Sequence, residues 1–180
     1  MLDYKNFFKG KKITLLGLGL LGRGVGDAEF LAECGADLIV TDLKTQAQLA
    51  DSLGRLKKFK NISFVLGEHR LEDFRNRDLI LKAAGVPLDS SYIAEAKKHN
   101  IPVRMSADLF AEISGITCVG VTGTRGKSTT TSLTSLILEK AGFDPTVIVG
   151  TKLKEFAPPK EGNNFINGKG EYLVIEADEW

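Results

Sequence analysis

Lys127 and Ser128 stand at the end of a glycine-rich turn, Val119-Gly120-Val121-Thr122-Gly123-Thr124-Arg125-Gly126-Lys127-Ser128-Thr129-Thr130. Residue types in this order can bind a triphosphate. Successive backbone N–H groups over Gly123, Thr124, Arg125, Gly126 and Thr129 can wrap a phosphate, and the Lys127 ammonium can reach the β and γ oxygens. The Ser128 hydroxyl can ligate Mg²⁺. The standard pattern G-x-x-x-x-G-K-[ST] requires glycine at position 121, where Val121 stands, so the match is to the shorter T-G-T-x-G-K-[ST]. The chemistry implied is binding of ATP, or a close relative, with Mg²⁺. A carboxylate partner for the metal is expected at the end of a neighbouring buried strand. Tyr172-Leu173-Val174-Ile175 supplies such a strand, with Glu176-Ala177-Asp178-Glu179 after it. Glu176 leaves the strand directly and is the candidate metal-facing group; the alternative is that the run is an acidic loop.

A second turn, Gly17-Leu18-Gly19-Leu20-Leu21-Gly22, follows an apolar strand and opens a helical pattern, with Asp42 about 20 residues further at the end of the next strand. Glycines at this spacing permit a tight turn, and the helix N-terminus offers unpaired N–H groups to a diphosphate. Asp42 is placed to accept a hydrogen bond from a ribose hydroxyl. The alternative is that the glycines serve only helix–strand packing.

Other polar groups offer less. His69 and His99 have no cysteine or carboxylate partners at metal-ligand spacing and read as solvated residues. Lys57-Lys58-Phe59-Lys60 reads as a charged helix end complementing the helix dipole. Cys34 and Cys118 lie in apolar runs and read as small buried hydrophobes of a reducing compartment, without a disulfide.

The elements that must position the two turns alternate between strand and helix. Lys12–Leu16, Asp37–Thr41, Ile62–Val65 and Asp78–Leu81 read as strands, and Ile101–Arg104 as a further extended segment. Helical patterns run from Leu21 to Cys34, Thr45 to Lys57 and Ser90 to Lys98, with a last short helix capped by Ser106 and running to Ile113. This alternation predicts a parallel sheet covered by helices. Around residue 114 the pattern restarts: a buried strand Ile116–Val121, a long helix Lys127–Ala141, and strands Pro145–Val149 and Tyr172–Ile175. Lys152–Gly170, rich in Gly, Pro, Lys and Asn, reads as a loop or an edge excursion. The second unit has about 66 residues and fewer strands than such sheets usually hold. The expectation is therefore an N-terminal portion of a larger protein.

With 24 basic and 23 acidic residues in 180, the chain has no broad electrostatic footprint for nucleic acid or an anionic membrane. It has no apolar stretch long enough for a membrane span and no secretory signal, so the cytoplasm is the expected location.

The two turns in this order, about 100 residues apart, resemble those of the Mur ligases, ATP-dependent amide-forming enzymes of peptidoglycan precursor synthesis. Leu16–Arg23, Val40–Thr45, Ala84–Ser90 and Asp108–Phe110 are most similar to the D-glutamate-adding members, whose substrate is UDP-N-acetylmuramoyl-L-alanine. Asp144–Gly150 and Gly168–Glu179 look more like the L-alanine-adding members or their murein-tripeptide-recycling relatives. The resemblance implies an α/β fold with a Rossmann-like parallel-sheet N-terminal domain over residues 1–113, binding the UDP end of the substrate. The start of a P-loop α/β ATPase domain would follow over 114–180. Carried over by position, Gly19, Leu20 and Leu21 would face the diphosphate, and Asp42, Leu43 and Lys44 would border the uracil. Lys127, Ser128 and Glu176 match the family's phosphate and Mg²⁺ positions, with Lys127 and Glu176 in the catalytic role. Two departures stand out. Leu21 occupies a position often held by a hydroxyl residue, and Ala83-Ala84-Gly85 replaces the common Asn-Pro-Gly or Ser-Pro-Gly. The cofactors implied are ATP and Mg²⁺, and the partners are a UDP-N-acetylmuramoyl-type nucleotide and an amino acid, bound by a monomer. This portion alone is expected not to turn over. A nicotinamide-dependent oxidoreductase using the first turn, or a non-catalytic nucleotide sensor, are the alternatives.

Overall fold

A computed structural model describes residues 3–20, 23–153 and 163–177. The chain forms two compact units, Met1–Leu109 and Phe110–Trp180.

In the first unit the elements run α1 (Tyr4–Phe8), β1 (Lys12–Leu16), α2 (Arg23–Glu33), β2 (Asp37–Asp42), α3 (Ala50–Leu56), β3 (Ile62–Leu66), a 3₁₀ turn (Leu71–Phe74), β4 (Leu79–Lys82), α4 (Ser91–Lys98) and β5 (Val103–Arg104). The strands form one sheet in the order β3-β2-β1-β4-β5. Every pairing is parallel, with Leu16 beside Thr41 on one side and Lys82 on the other. Parallel neighbours need crossover connections and are usually covered on both faces, which explains why β1 and β4 read as continuous apolar runs. Strand order reverses at β1, so the turns after β1 and β4 lie at the carboxyl edge of the sheet where folds of this kind bind ligands.

Leu16, Phe74, Ile80, Ile93, Ala96 and Ile101 form one core cluster, with Val86, Tyr92 and Val103 packed against it. Each large side chain buried there contributes about 1.5–3 kcal/mol. Helix α4 is started by Ser90, whose hydroxyl accepts from the Ile93 amide at 3.3 Å, a common N-cap arrangement. Helix α3 begins later than the periodicity predicts, because residues 46–49 form a turn and the Thr45 amide is bound by the Gln48 side chain. Helix α1 is an element the sequence reading did not anticipate. Asp3 caps it through the Asn6 amide, and Phe8 packs edge-to-face on Phe30.

Helix α5 (Ser106–Ser114) spans the change of unit, beginning at Ser106 itself. The second unit then comprises β6 (Thr117–Val121), α6 (Lys127–Lys140), β7 (Thr146–Leu153), β8 (Asn163–Ile166) and β9 (Tyr172–Glu176). The sheet order is β6-β9-β7-β8, with β8 antiparallel on β7 and the other pairs parallel. Strand β8 is thus the edge excursion within Lys152–Gly170. Leu173 and Val174 of β9 are buried, as are Val147 and Val149 of β7. Strand β6 corrects an expectation: it forms the other edge of the sheet, and none of its residues is buried. Cys118 is accordingly exposed, whereas Cys34 is buried, and both are free thiols. Among the described residues no helix is long and apolar enough to cross a membrane.

Candidate functional site

Strands β6 and β9 lie side by side with Val121 opposite Glu176, and the Ala177 amide donates to the Val121 carbonyl at 2.9 Å. The turn 122–126 leaves β6 at its carboxyl end, and α6 begins at Lys127. Loop amides, the first turn of α6 and the Glu176 carboxylate therefore meet at one edge of the sheet. Gly126 is the helix N-cap with φ 78°, and it offers no side chain to cap the helix. The first amides of α6 stay available to an anion, in the field of the helix dipole.

Within this edge, the Lys127 ammonium donates to the Gly123 carbonyl at 2.7 Å, which holds it over the turn. The Ser128 hydroxyl lies 3.0 Å from each Glu176 oxygen. The Gly150 amide donates to Glu176 Oε2 at 2.7 Å. Thr124, Arg125 and Thr129 are exposed around the turn. One hydroxyl and one carboxylate within hydrogen-bond distance form a hard-oxygen donor pair. Mg²⁺ is commonly held by one or two such groups together with phosphate oxygens and waters, so the pair fits Mg²⁺ bound with a triphosphate. Among the described residues no group of three or more His, Cys, Asp or Glu side chains forms a site for a softer metal.

In the first unit, Asp42 is 4% exposed. One of its oxygens accepts from the Gly19 amide at 2.9 Å and the other from the Lys44 amide at 2.8 Å, with the Lys44 ammonium 3.7 Å away. Burial alone pushes its carboxyl up, but the amides of Gly19 and Lys44, the Lys44 charge and the Leu18 amide outweigh burial and hold it below its ordinary value. Its carboxylate ties the turn after β1 to the turn after β2. Leu20 and Leu43, expected near the diphosphate and uracil, are exposed at 61% and 65%. They form apolar lips on the two turns that Asp42 joins. Leu21, also expected at the diphosphate, lies outside the described residues, as do Asp178 and Glu179.

Four features escaped the sequence reading. A Cβ at Gly24 would come within 2.3 Å of the Leu18 carbonyl oxygen, so α2 lies too close to the turn at this position for a side chain. Its place two residues beyond Gly22 was the available signal. Lys82, at the end of β4, is buried, and its ammonium donates to the Val86 carbonyl at 3.1 Å; burial lowers its pKa. His69 is half-buried rather than solvated: its Nδ1 is 2.7 Å from the Thr41 hydroxyl and its ring meets Tyr92 edge-on at 5.0 Å. Burial depresses the His69 pKa more than Asp42 raises it. Gly150, bound to Glu176, is the fourth.

The family model for the N-terminal domain of MurD-like Mur ligases matches residues 11–105, and the model for the Mur ligase middle domain matches 121–179. The chain belongs to the Mur ligase family. Among curated Mur ligases, it is 41% identical over 141 residues to the UDP-N-acetylmuramoylalanine–D-glutamate ligase of Roseiflexus sp. (strain RS-1), covering 78% of this chain and 30% of that protein. It is 37% identical over 172 residues to the UDP-N-acetylmuramate–L-alanine ligase of Solidesulfovibrio magneticus, covering 95% of this chain and 35% of that protein. The chain therefore spans about a third of the length of these relatives. Among solved structures it resembles the UDP-N-acetylmuramate–alanine ligase MurC of Thermotoga maritima, with a TM-score of 0.55 and 25% identity over 93% of this chain and 37% of that one. The Mur ligase match covers both glycine turns, and a simple dehydrogenase has no use for the second.

Proposed function

We propose that the protein carrying this chain is an ATP-dependent ligase of peptidoglycan precursor synthesis that adds D-glutamate to UDP-N-acetylmuramoyl-L-alanine. The observation that carries the reading is the convergence of Lys127, Ser128 and Glu176 at the amino end of α6. Bound with Mg²⁺, ATP would transfer its γ-phosphoryl group to the substrate carboxylate and leave as ADP, and attack of the amine on the acyl phosphate would then release phosphate and form the amide.

Ser128 and Glu176 would hold the metal. The amides from Gly123 to Thr129 would cradle the phosphates, and the Lys127 ammonium would offset charge on the phosphoryl oxygens. Positioning and electrostatics of this kind account for most catalysis of phosphoryl transfer. In the first unit the amides of Leu20 and Leu21 would face the diphosphate of the UDP substrate, beside Gly19, whose own amide is held by Asp42. Asp42, Leu43 and Lys44 would border the uracil, with Asp42 also fixing both turns. The enzyme would work as a cytoplasmic monomer on small soluble substrates.

The D-glutamate reading is supported by the MurD-like match of the first unit. A second reading, addition of L-alanine to UDP-N-acetylmuramate, is supported by the L-alanine ligase that aligns across both units. Phosphate release by the whole protein carrying this chain separates them. Release that needs D-glutamate and UDP-N-acetylmuramoyl-L-alanine supports the first, and release that needs L-alanine and UDP-N-acetylmuramate replaces it with the second. Release with neither pair rejects both.

A further inference from the structure

Gly150 sits in β7, exposed, with its amide 2.7 Å from Glu176 Oε2. A Cβ built on it would lie 3.1 Å from that same oxygen and 3.4 Å from the carboxyl carbon and the other oxygen. Its φ does not fall in the left-handed region, so the backbone at this position would accept any L-residue. Glycine in a strand weakens it, and an exposed strand position ordinarily favours a β-branched side chain. The conformation of the strand does not explain the glycine. The carboxylate does.

Resting on the reading that residues 123–128 and Glu176 bind Mg²⁺-ATP, we propose that Gly150 is a positioning residue of the metal site. Its amide fixes one Glu176 oxygen, and its missing side chain leaves the space the carboxylate occupies. Glu176 is then held from two sides, by the Ser128 hydroxyl from α6 and by the Gly150 amide from β7. A methyl group at position 150 displaces the carboxylate by a few tenths of an ångström and disturbs the bond that orients it. Metal sites are sensitive to displacements on this scale.

Binding of a fluorescent N-methylanthraniloyl ATP analogue to the whole chain, titrated with Mg²⁺ and repeated in EDTA, tests the proposal. Gly150→Ala should raise the half-saturating Mg²⁺ concentration about tenfold, the scale on which outer-shell partners tune metal affinity. Gly150→Val should raise it further. Affinity for the analogue in EDTA should stay unchanged, and the melting temperature should hold or rise. An unchanged Mg²⁺ requirement in both variants overturns the proposal, as does an equal loss of affinity with and without Mg²⁺. A wild-type chain whose analogue binding ignores both Mg²⁺ and Lys127→Ala refutes the ATP-site reading itself. A second measurement does not depend on the folding of a Gly150 variant. The Gly150 amide proton should move upfield in Glu176→Ala, and an unmoved resonance overturns the proposal.

Discussion

The Ser128 hydroxyl lies 3.0 Å from both carboxylate oxygens of Glu176, although 48 residues separate the two in sequence. Parallel pairing of β6 with β9 produces this closeness, because Val121, the last residue of β6, is in register with Glu176. A hydroxyl at the start of a helix and a carboxylate at the end of the adjacent strand can share one cation.

Ser128→Ala and Glu176→Gln should each raise the Mg²⁺ requirement for nucleotide binding by at least the ~10-fold typical of losing an outer-shell partner. Because the two groups touch, the double variant should cost less than the two single losses combined. Mg²⁺ titrations of the three variants check this, and strict additivity would show that the residues act independently.

In the whole protein carrying this chain, Lys127→Ala should lower amino-acid-dependent ADP release by about 10²–10³-fold, the scale of removing one preorganised electrostatic group. Binding of the UDP substrate, measured by calorimetry, should stay as in the wild type, since Gly19 and Asp42 belong to the other compact unit. Loss of both activities together would count against the division of labour proposed above.

Asp42 gives the first unit an acid-sensitive link. Its carboxyl is held below its ordinary value, so the folded state favours the ionised form. That contribution is complete above the unfolded aspartate value of about 3.9. It fades as pH falls through the lower folded value, because the unfolded chain binds the proton more readily. Asp42→Asn leaves one amide facing a side-chain nitrogen and should cost about 1–3 kcal/mol at neutral pH. The gap between wild type and variant should narrow on acidification. Melting curves from pH 7 down to the acid limb test this, and a constant gap would show that the carboxylate's charge is irrelevant.

Two glycines in helices should respond to alanine with opposite signs. At Gly24 a Cβ would meet the Leu18 carbonyl oxygen at 2.3 Å, and backbone cannot yield as a side chain would. Overpacking of this kind costs about 1–3 kcal/mol, more than the ~1 kcal/mol alanine gains in a helix. At Gly54 in α3 nothing lies within 4 Å of the added carbon, so alanine should stabilise by about 0.5–1 kcal/mol. Urea unfolding of the two variants should move the midpoint down for Gly24→Ala and up for Gly54→Ala.

Local chemistry made much of this protein readable in one dimension. Buried parallel strands declare themselves as continuous apolar runs, which is why β1, β2, β4 and β9 stood out. The two turns declared themselves because close approach to phosphate demands glycines, and the cation and hydroxyl must follow at fixed offsets on the helix start. Ser128, Lys127 and Glu176 were therefore legible as candidates from residue type and position alone. What the sequence could not carry was pairing. Strand order placed β6 at an edge and exposed Cys118, and register brought Glu176 to Ser128. The same assembly put the Gly150 amide on that carboxylate, closed Asp42 onto the amides of Gly19 and Lys44, and half-buried His69 against Thr41 and Tyr92. Each of these contacts joins residues from different strands or turns. Hydrophobic pattern fixes which face of a strand is buried, but only the assembled sheet decides which strand lies beside it.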